Sequence, residues 1–287
     1  MTGEVFCLGG VTHSYGKKLA LDAVDLIVPA GCMAGVIGPD GVGKSTLLAL
    51  AAGVKKLQHG SLHVLDGDMS DAHQRRLVGA RIAYMPQGLG RNLYPTLSVA
   101  ENLDFFGRLF AMSRSERHDH VDELLRITGL APFWNRPAGK LSGGMKQKLG
   151  ICAALIHDPD ILILDEPTTG IDPLSRRQFW DLIERMRGRR PGMSVIVATA
   201  YMEEAERFDW LAAMYGGQVI ATGSPAALKQ STGQSCLEDA FVALLPEEIR
   251  RAEGRFPLSL AQSQMACRPS KLRDLPVVLG TSRPSIM

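Results

Sequence analysis

The 287-residue chain has no C-x-x-C pair, no apolar run of membrane-spanning length and no histidine beyond His157. Its five cysteines, Cys7, Cys32, Cys152, Cys236 and Cys267, are scattered and odd in number, which argues against a disulfide framework or a clustered zinc site and fits a reducing cytosol. No uninterrupted apolar stretch approaches the roughly 18 to 20 residues that cross a bilayer. The opening MTGEVFCLGG lacks a basic segment followed by an apolar core. A membrane role is therefore expected to come through a partner. Charge of neither sign dominates: 32 basic residues against 30 acidic leave a net +2. No bulk field draws the chain to nucleic acid, and no DNA partner is expected.

What is present is an ordinary globular composition, 45% apolar and 22% charged, enough to bury a core. The first 35 residues alternate short apolar runs with turn signals, the pattern of an antiparallel β element. Cys32-Met-Ala-Gly-Val-Ile37 then reads as a buried strand leading through a glycine-rich loop into the apolar helix STLLALAAGV. Residues about 88–157 read mostly as a helical insertion, and from Ile161 the pattern of a parallel sheet resumes (ILILD, SVIVAT, WLAAMY). Residues 1–232 are expected to form one domain. Residues 233–287 are expected to carry a short helix, LEDAFVALL, and a loosely structured tail with seven basic and four acidic side chains from residue 247, a net +3.

Gly38-Pro39-Asp40-Gly41-Val42-Gly43-Lys44-Ser45-Thr46 fits G-x-x-x-x-G-K-[ST] between a strand and a helix. Its glycines let successive backbone N–H groups curl around phosphate at a helix N-terminus, where the macrodipole adds positive potential. Lys44 would reach the β and γ phosphates of ATP, and Ser45 would hold Mg2+. Ile161-Leu-Ile-Leu-Asp165-Glu166 is an apolar strand ending in two acids: Asp165 is expected to support the Mg2+ shell and Glu166 to take a proton from the attacking water. Two acids after a strand also begin helices, and Thr168 or Thr169 would equally cap one. Ser142-Gly143-Gly144 opens another helix with exposed N–H groups, either an ordinary capped start or a second phosphate site. A second site has an obvious use if two copies meet head to tail, each closing over the other's ATP.

Taken in order, GPDGVGKST, LSGGM and ILILDEP resemble the nucleotide-binding domain of ATP-binding-cassette proteins over about residues 4–232. The resemblance implies an α/β P-loop NTPase with a RecA-like parallel sheet core, an antiparallel β subdomain and an inserted helical subdomain. It further implies that Tyr15 stacks on adenine, that Gln87 reaches Mg2+ and the water while its loop meets a transport partner, and that Gly170-Ile171-Asp172 spans a dimer. Four positions depart from the common pattern. Met145 stands where many members have glutamine, and Asp40 and Val42 stand where Asn and Ala are more usual. An acid at 40 sits oddly beside phosphates unless it points outward. In family terms Thr199-Ala200-Tyr201-Met-Glu-Glu is the switch region, so Ala200 replaces a histidine that would contact the γ-phosphate, and no later histidine restores it.

The resemblance implies the ATPase subunit of an export system, at the inner face of the cell membrane, working with separate membrane-spanning subunits and a second cassette, identical or different. LSGGMKQKLGICAALIHDP and VATAYMEEAERFDWL also resemble ribosome-associated cassette ATPases. A third class, an ATP-gated dimerisation module with little hydrolysis, follows from Ala200.

Overall fold

The computed structural model describes residues 3–247 apart from Leu89, together with Ile249. Two strands open the chain, β1 (Glu4–Tyr15) and β2 (Lys18–Pro29), followed by β3 (Met33–Ile37), α1 (Lys44–Ala51), β4 (His59–Val64), β5 (Gly67–Asp68), α2 (Ala72–Gly79) and β6 (Ile82–Met85). The helical segment comprises α3 (Val99–Leu109), α4 (Arg114–Thr128) and α5 (Gly143–Leu155). Then come β7 (Ile161–Asp165), α6 (Pro173–Arg189), β8 (Ser194–Thr199), α7 (Met202–Ala205), β9 (Trp210–Tyr215), β10 (Gln218–Gly223), α8 (Pro225–Thr232) and α9 (Leu237–Leu244).

Two sheets result. One is antiparallel in the order β2-β1-β4-β5, and its first two strands alternate buried and exposed residues because only one face is covered. The other runs β10-β9-β3-β8-β7-β6, parallel except for the β10 edge. Strands β3, β7 and β8 are buried at every position, as expected of parallel strands covered on both faces. In register, Ile37 sits beside Thr199 and Asp165 beside Ala198, so the carboxyl ends of these three strands open on one rim, where ligands of open α/β sheets bind.

The insertion is helical for local reasons. Ser98 and Ser113 each accept from the N–H of a glutamate three residues on, whose carboxylate bonds back to the serine N–H, two capping boxes that start α3 and α4. Helix α4 buries only Leu124, Leu125 and Thr128, whereas α5 is buried continuously from Leu149 to Leu155. Helix α9, which the sequence places in a separate C-terminal segment from residue 233, packs on α8 and α7, and the compact unit ends at Leu245. The tail expected after it lies outside the described residues. Among those described, no helix is long and apolar enough to cross a membrane.

One half-buried residue gives the fold a pH dependence. His157, just past α5, stacks on Phe110 with ring centroids 3.6 Å apart, and burial drives its imidazole down to about 4. The unfolded chain takes up this proton near pH ~6.5 and the folded chain only near 4, so between them the unfolded state binds more protons and stability falls as pH drops. After allowance for partial exposure, the loss at pH 5 is about 1 kcal/mol. His157→Phe, which keeps the stack, is expected to shrink the gap between urea midpoints at pH 7 and pH 5.

Candidate functional site

The rim of the parallel sheet holds a cleft of about 370 Å³ lined by Tyr15, Lys44, Ser45, Gln87 and Glu166. Helix α1 starts at Gly43 with no side-chain cap and no acid in its first turn, which leaves its N-terminal N–H groups and positive dipole end free for an anion. Gly43 is required there: its φ is +106°, and a β-carbon would stand 2.3 Å from the Ala20 carbonyl oxygen.

Lys44 is only 3% exposed. Its Nζ donates to the carbonyls of Gly38 and Pro39, each at 2.8 Å, and lies 3.7 Å from Glu166 Oε1 and 3.8 Å from Asp40 Oδ1. The Asp40 side chain is 85% exposed, yet its Oδ1 stays 3.8 Å from the Lys44 ammonium at the edge of the cleft, so it does not turn away from the phosphate site as the sequence pattern suggests. Val42 is buried behind the loop. Ser45 Oγ donates to Asp165 Oδ1 at 2.9 Å. Burial, together with the neighbouring Asp165 carboxylate, pushes the Tyr84 phenol up to about 12. Burial raises the Asp165 carboxyl above its ordinary range, against the Ser45 hydrogen bond and the Lys44 charge.

Glu166 lies just beyond β7 with φ +46°, a left-handed conformation uncommon for a residue with a side chain. Its Oε2 accepts from Gln87 Nε2 at 2.7 Å and from Thr169 Oγ1 at 3.3 Å. Burial raises its carboxyl; Lys44 opposes this, and the charges of Asp40 and Asp165 reinforce it. A carboxylate with a raised pKa beside an anchored glutamine is suited to take a proton from water. The Ser45 hydroxyl and the Asp165 carboxylate are hard oxygen donors already in contact, a set that fits Mg2+.

Tyr15 is 45% exposed at the cleft mouth, and its OH and Thr46 Oγ1 are hydrogen-bonded at 3.2 Å. Lys55 Nζ stands 4.8 Å over the ring and His13 meets its edge. The Tyr15 ring thus borders the cleft in a position suited to a base. Ala200 occupies the corner between β8 and α7, and no histidine follows it in the chain. Ser142, Gly143 and Gly144 are not brought to the cleft. They start α5, Ser142 capping it by accepting from Met145 N at 3.3 Å, with Ser142 and Gly143 exposed.

The sequence reading missed a buried network under the site. Glu204, 4% exposed, accepts from Thr168 Oγ1 and, at 3.2 Å, from Thr199 Oγ1, and pairs with Arg176 at 3.4 Å. Arg176 in turn lies over the Tyr201 ring at 4.4 Å. The available signal was an acid in the first turn of the short helix that follows a largely apolar, fully buried strand. Gln147, from inside α5, donates to the Pro167 carbonyl.

A lysine-bearing loop at a helix N-terminus, a strand-end acid pair and a separate serine-diglycine helix start define a P-loop nucleoside-triphosphate-binding protein. Residues 21–169 match the ABC transporter family, and the chain belongs to it. It is 38% identical over 267 residues to the probable multidrug ABC transporter ATP-binding protein YbhF of Escherichia coli, covering 91% of this chain and 44% of that protein. The chain thus spans less than half the length of that relative. It is 39% identical over 254 residues to the Nod factor export ATP-binding protein I of a Rhizobium species, covering 86% of this chain and 82% of that one. A solved dimeric ATP-binding cassette in a post-hydrolysis state with ADP and phosphate superposes with a TM-score of 0.67 at 26% identity, covering 76% of this chain and 98% of that one.

Proposed function

We propose that this chain is the ATP-driven subunit of an export system, binding and hydrolysing ATP between two head-to-tail cassettes to move separate membrane-spanning subunits at the inner face of the membrane. The observation that carries this reading is the split of the site. Lys44, Ser45, Gln87 and Glu166 line one cleft, while Ser142 and Gly143 stand exposed at the start of α5 and contribute nothing to it. Head-to-tail pairing gives the second element a phosphate to bind.

In this reading Tyr15 stacks on adenine and the N–H groups of residues 41–46 hold the phosphates. Lys44 exchanges the Gly38 and Pro39 carbonyls for phosphate oxygens. Ser45, Asp165 and Gln87 would hold Mg2+, which when bound supplies positive charge at the phosphate oxygens. Glu166 accepts a proton from the water that Gln87 orients, and Ser142, Gly143 and Gly144 of the second cassette close over the γ-phosphate. The names of the multidrug and Nod factor relatives support export.

An exposed apolar cluster supports a membrane partner. Tyr94 meets Phe105 at 4.6 Å between centroids, Leu109 lies exposed on the same helix, and all three are at or beyond the loop that begins at Gln87. Buried Asn102 pins that loop through the Tyr94 N–H and the carbonyls of Tyr94, Leu97 and Ser98. A patch of this kind on a fixed loop suits a helix docking between membrane subunit and cassette. The ribosome, the alternative partner raised by the sequence, gains no support from these relatives.

Ala200 deprives the site of one donor to the γ-phosphate. We expect slow turnover in a homodimer, or pairing with a different cassette that completes one of two sites; the extreme case is an ATP-gated module. Ala200→His is expected to raise turnover at saturating ATP by up to about 10²-fold, the usual worth of one such donor. Unchanged or lower turnover would count against the missing donor as the limitation.

A further inference from the structure

We infer that Gln147 is a positioning residue that ties the serine-diglycine end of α5 to the turn bearing Glu166, so that closure over one ATP sets the glutamate beside the other. The inference rests on the head-to-tail reading above. Its starting point is the backbone of Glu166. A left-handed conformation at a residue with a side chain persists only where surrounding structure holds it.

Three holds converge on this turn. Glu166 N–H donates to the Ala198 carbonyl at 2.9 Å, from β8. Thr168 donates to Glu204, from the switch corner. Gln147 Nε2 donates to the Pro167 carbonyl, from α5. The first two connect the turn to its own site. The third connects it to the helix whose first residues would bind the partner's nucleotide.

The link is short and stiff. Gln147 lies three residues past Gly144, about 4.5 Å along the axis, less than one turn. The helix beyond it is buried from Leu149 to Leu155, so α5 moves as a unit. Gly144 leaves no slack at the other side, since a β-carbon there would meet Ser175 Oγ at 2.9 Å. Gln147 is 3% exposed and its Oε1 has no hydrogen-bond partner among the described residues, so one bond holds the amide. Gln147→Met keeps the volume and removes the unpaired Oε1, but it leaves the buried Pro167 carbonyl without its donor, at a cost of about 1–3 kcal/mol.

The test uses the full chain with MgATP. In Gln147→Met, kcat is expected to fall by about tenfold or more, the KM for ATP to stay within about twofold, and the Hill coefficient for ATP to fall toward about 1 from a higher parent value. Melting should fall by no more than about 6 °C, which leaves the variant folded at the assay temperature. Unchanged kcat overturns the inference. So does a lowered kcat with unchanged cooperativity, which reduces Gln147 to a local support.

A second measurement does not depend on the variant folding. In a Glu166→Gln chain, amide exchange at residues 166 and 168, ahead of the Gly170–Asp172 stretch expected to meet the second cassette, should slow when ATP drives pairing and not when ATP is bound at chain concentrations too low for pairing. Slowing that follows ATP occupancy alone overturns the inference. A Glu166→Gln chain that stays single by mass with MgATP, alone and in cell extract, removes the head-to-tail reading itself, and this inference with it.

Discussion

Glu166→Gln is expected to lower steady-state ATP turnover by about 10² to 10⁴-fold while leaving ATP binding intact. The exchange keeps the shape of the side chain and its contacts with Gln87 and Thr169, but an amide cannot take the proton that the carboxylate takes. Burial and the neighbouring carboxylates raise the Glu166 carboxyl, which strengthens it as a base. Neutralising it also removes a negative charge 3.7 Å from Lys44, beside the place the γ-phosphate would occupy. ATP should therefore bind as tightly or more tightly. Phosphate release and nucleotide affinity, measured on the same preparation, check both halves. Turnover within about threefold of the parent would show that the proton goes elsewhere.

Lys44→Met is expected to weaken ATP binding by roughly 30- to 150-fold, the ~2–3 kcal/mol of a charge-assisted hydrogen bond. The ammonium is buried, held by two backbone carbonyls and within 4 Å of two carboxylates, so it cannot be replaced by solvent or by a neighbouring cation. Its loss leaves Asp40 and Glu166 facing the phosphates unopposed, which adds repulsion to the lost bond. Equilibrium titration with a fluorescent ATP analogue reads the change, and a melting curve separates it from unfolding. Affinity within about threefold of the parent would mean that the loop amides alone carry the phosphates.

The chemistry of this chain was legible where it follows from local sequence. The strand, glycine loop and helix from Met33 to Ala51, and the all-apolar strand ending in Asp165, are readable because buried parallel strands and anion-binding loops leave continuous patterns. Ser98-x-x-Glu101 and Ser113-x-x-Glu116 carry equally local signals for helix starts. The supports of the site were not legible. Glu204 meets Thr168 across 36 residues and Gln147 meets Pro167 across 20, pairings that depend on which strand ends the sheet places side by side. Helix α9 was likewise assigned apart from the domain, because its apolar face names no partner until α7 and α8 are in place. Tyr84 reads in the sequence as one more strand residue, and only its pairing with β7 shows that it lies within reach of the Asp165 charge.

The central claim is that ATP is held between two cassettes, one contributing the Lys44 loop and the other the Ser142 helix start. It is tested most directly by the mass in solution of the Glu166→Gln chain with MgATP, with MgADP, and with MgATP after a further Ser142→Arg change. The account predicts a pair with MgATP, of twice the chain's 31.1 kDa or of this chain with a second cassette, and single chains in the other two cases. A mass that stays at one chain with MgATP in the presence of cell extract, or a pair that forms equally with MgADP or with arginine at 142, would contradict it.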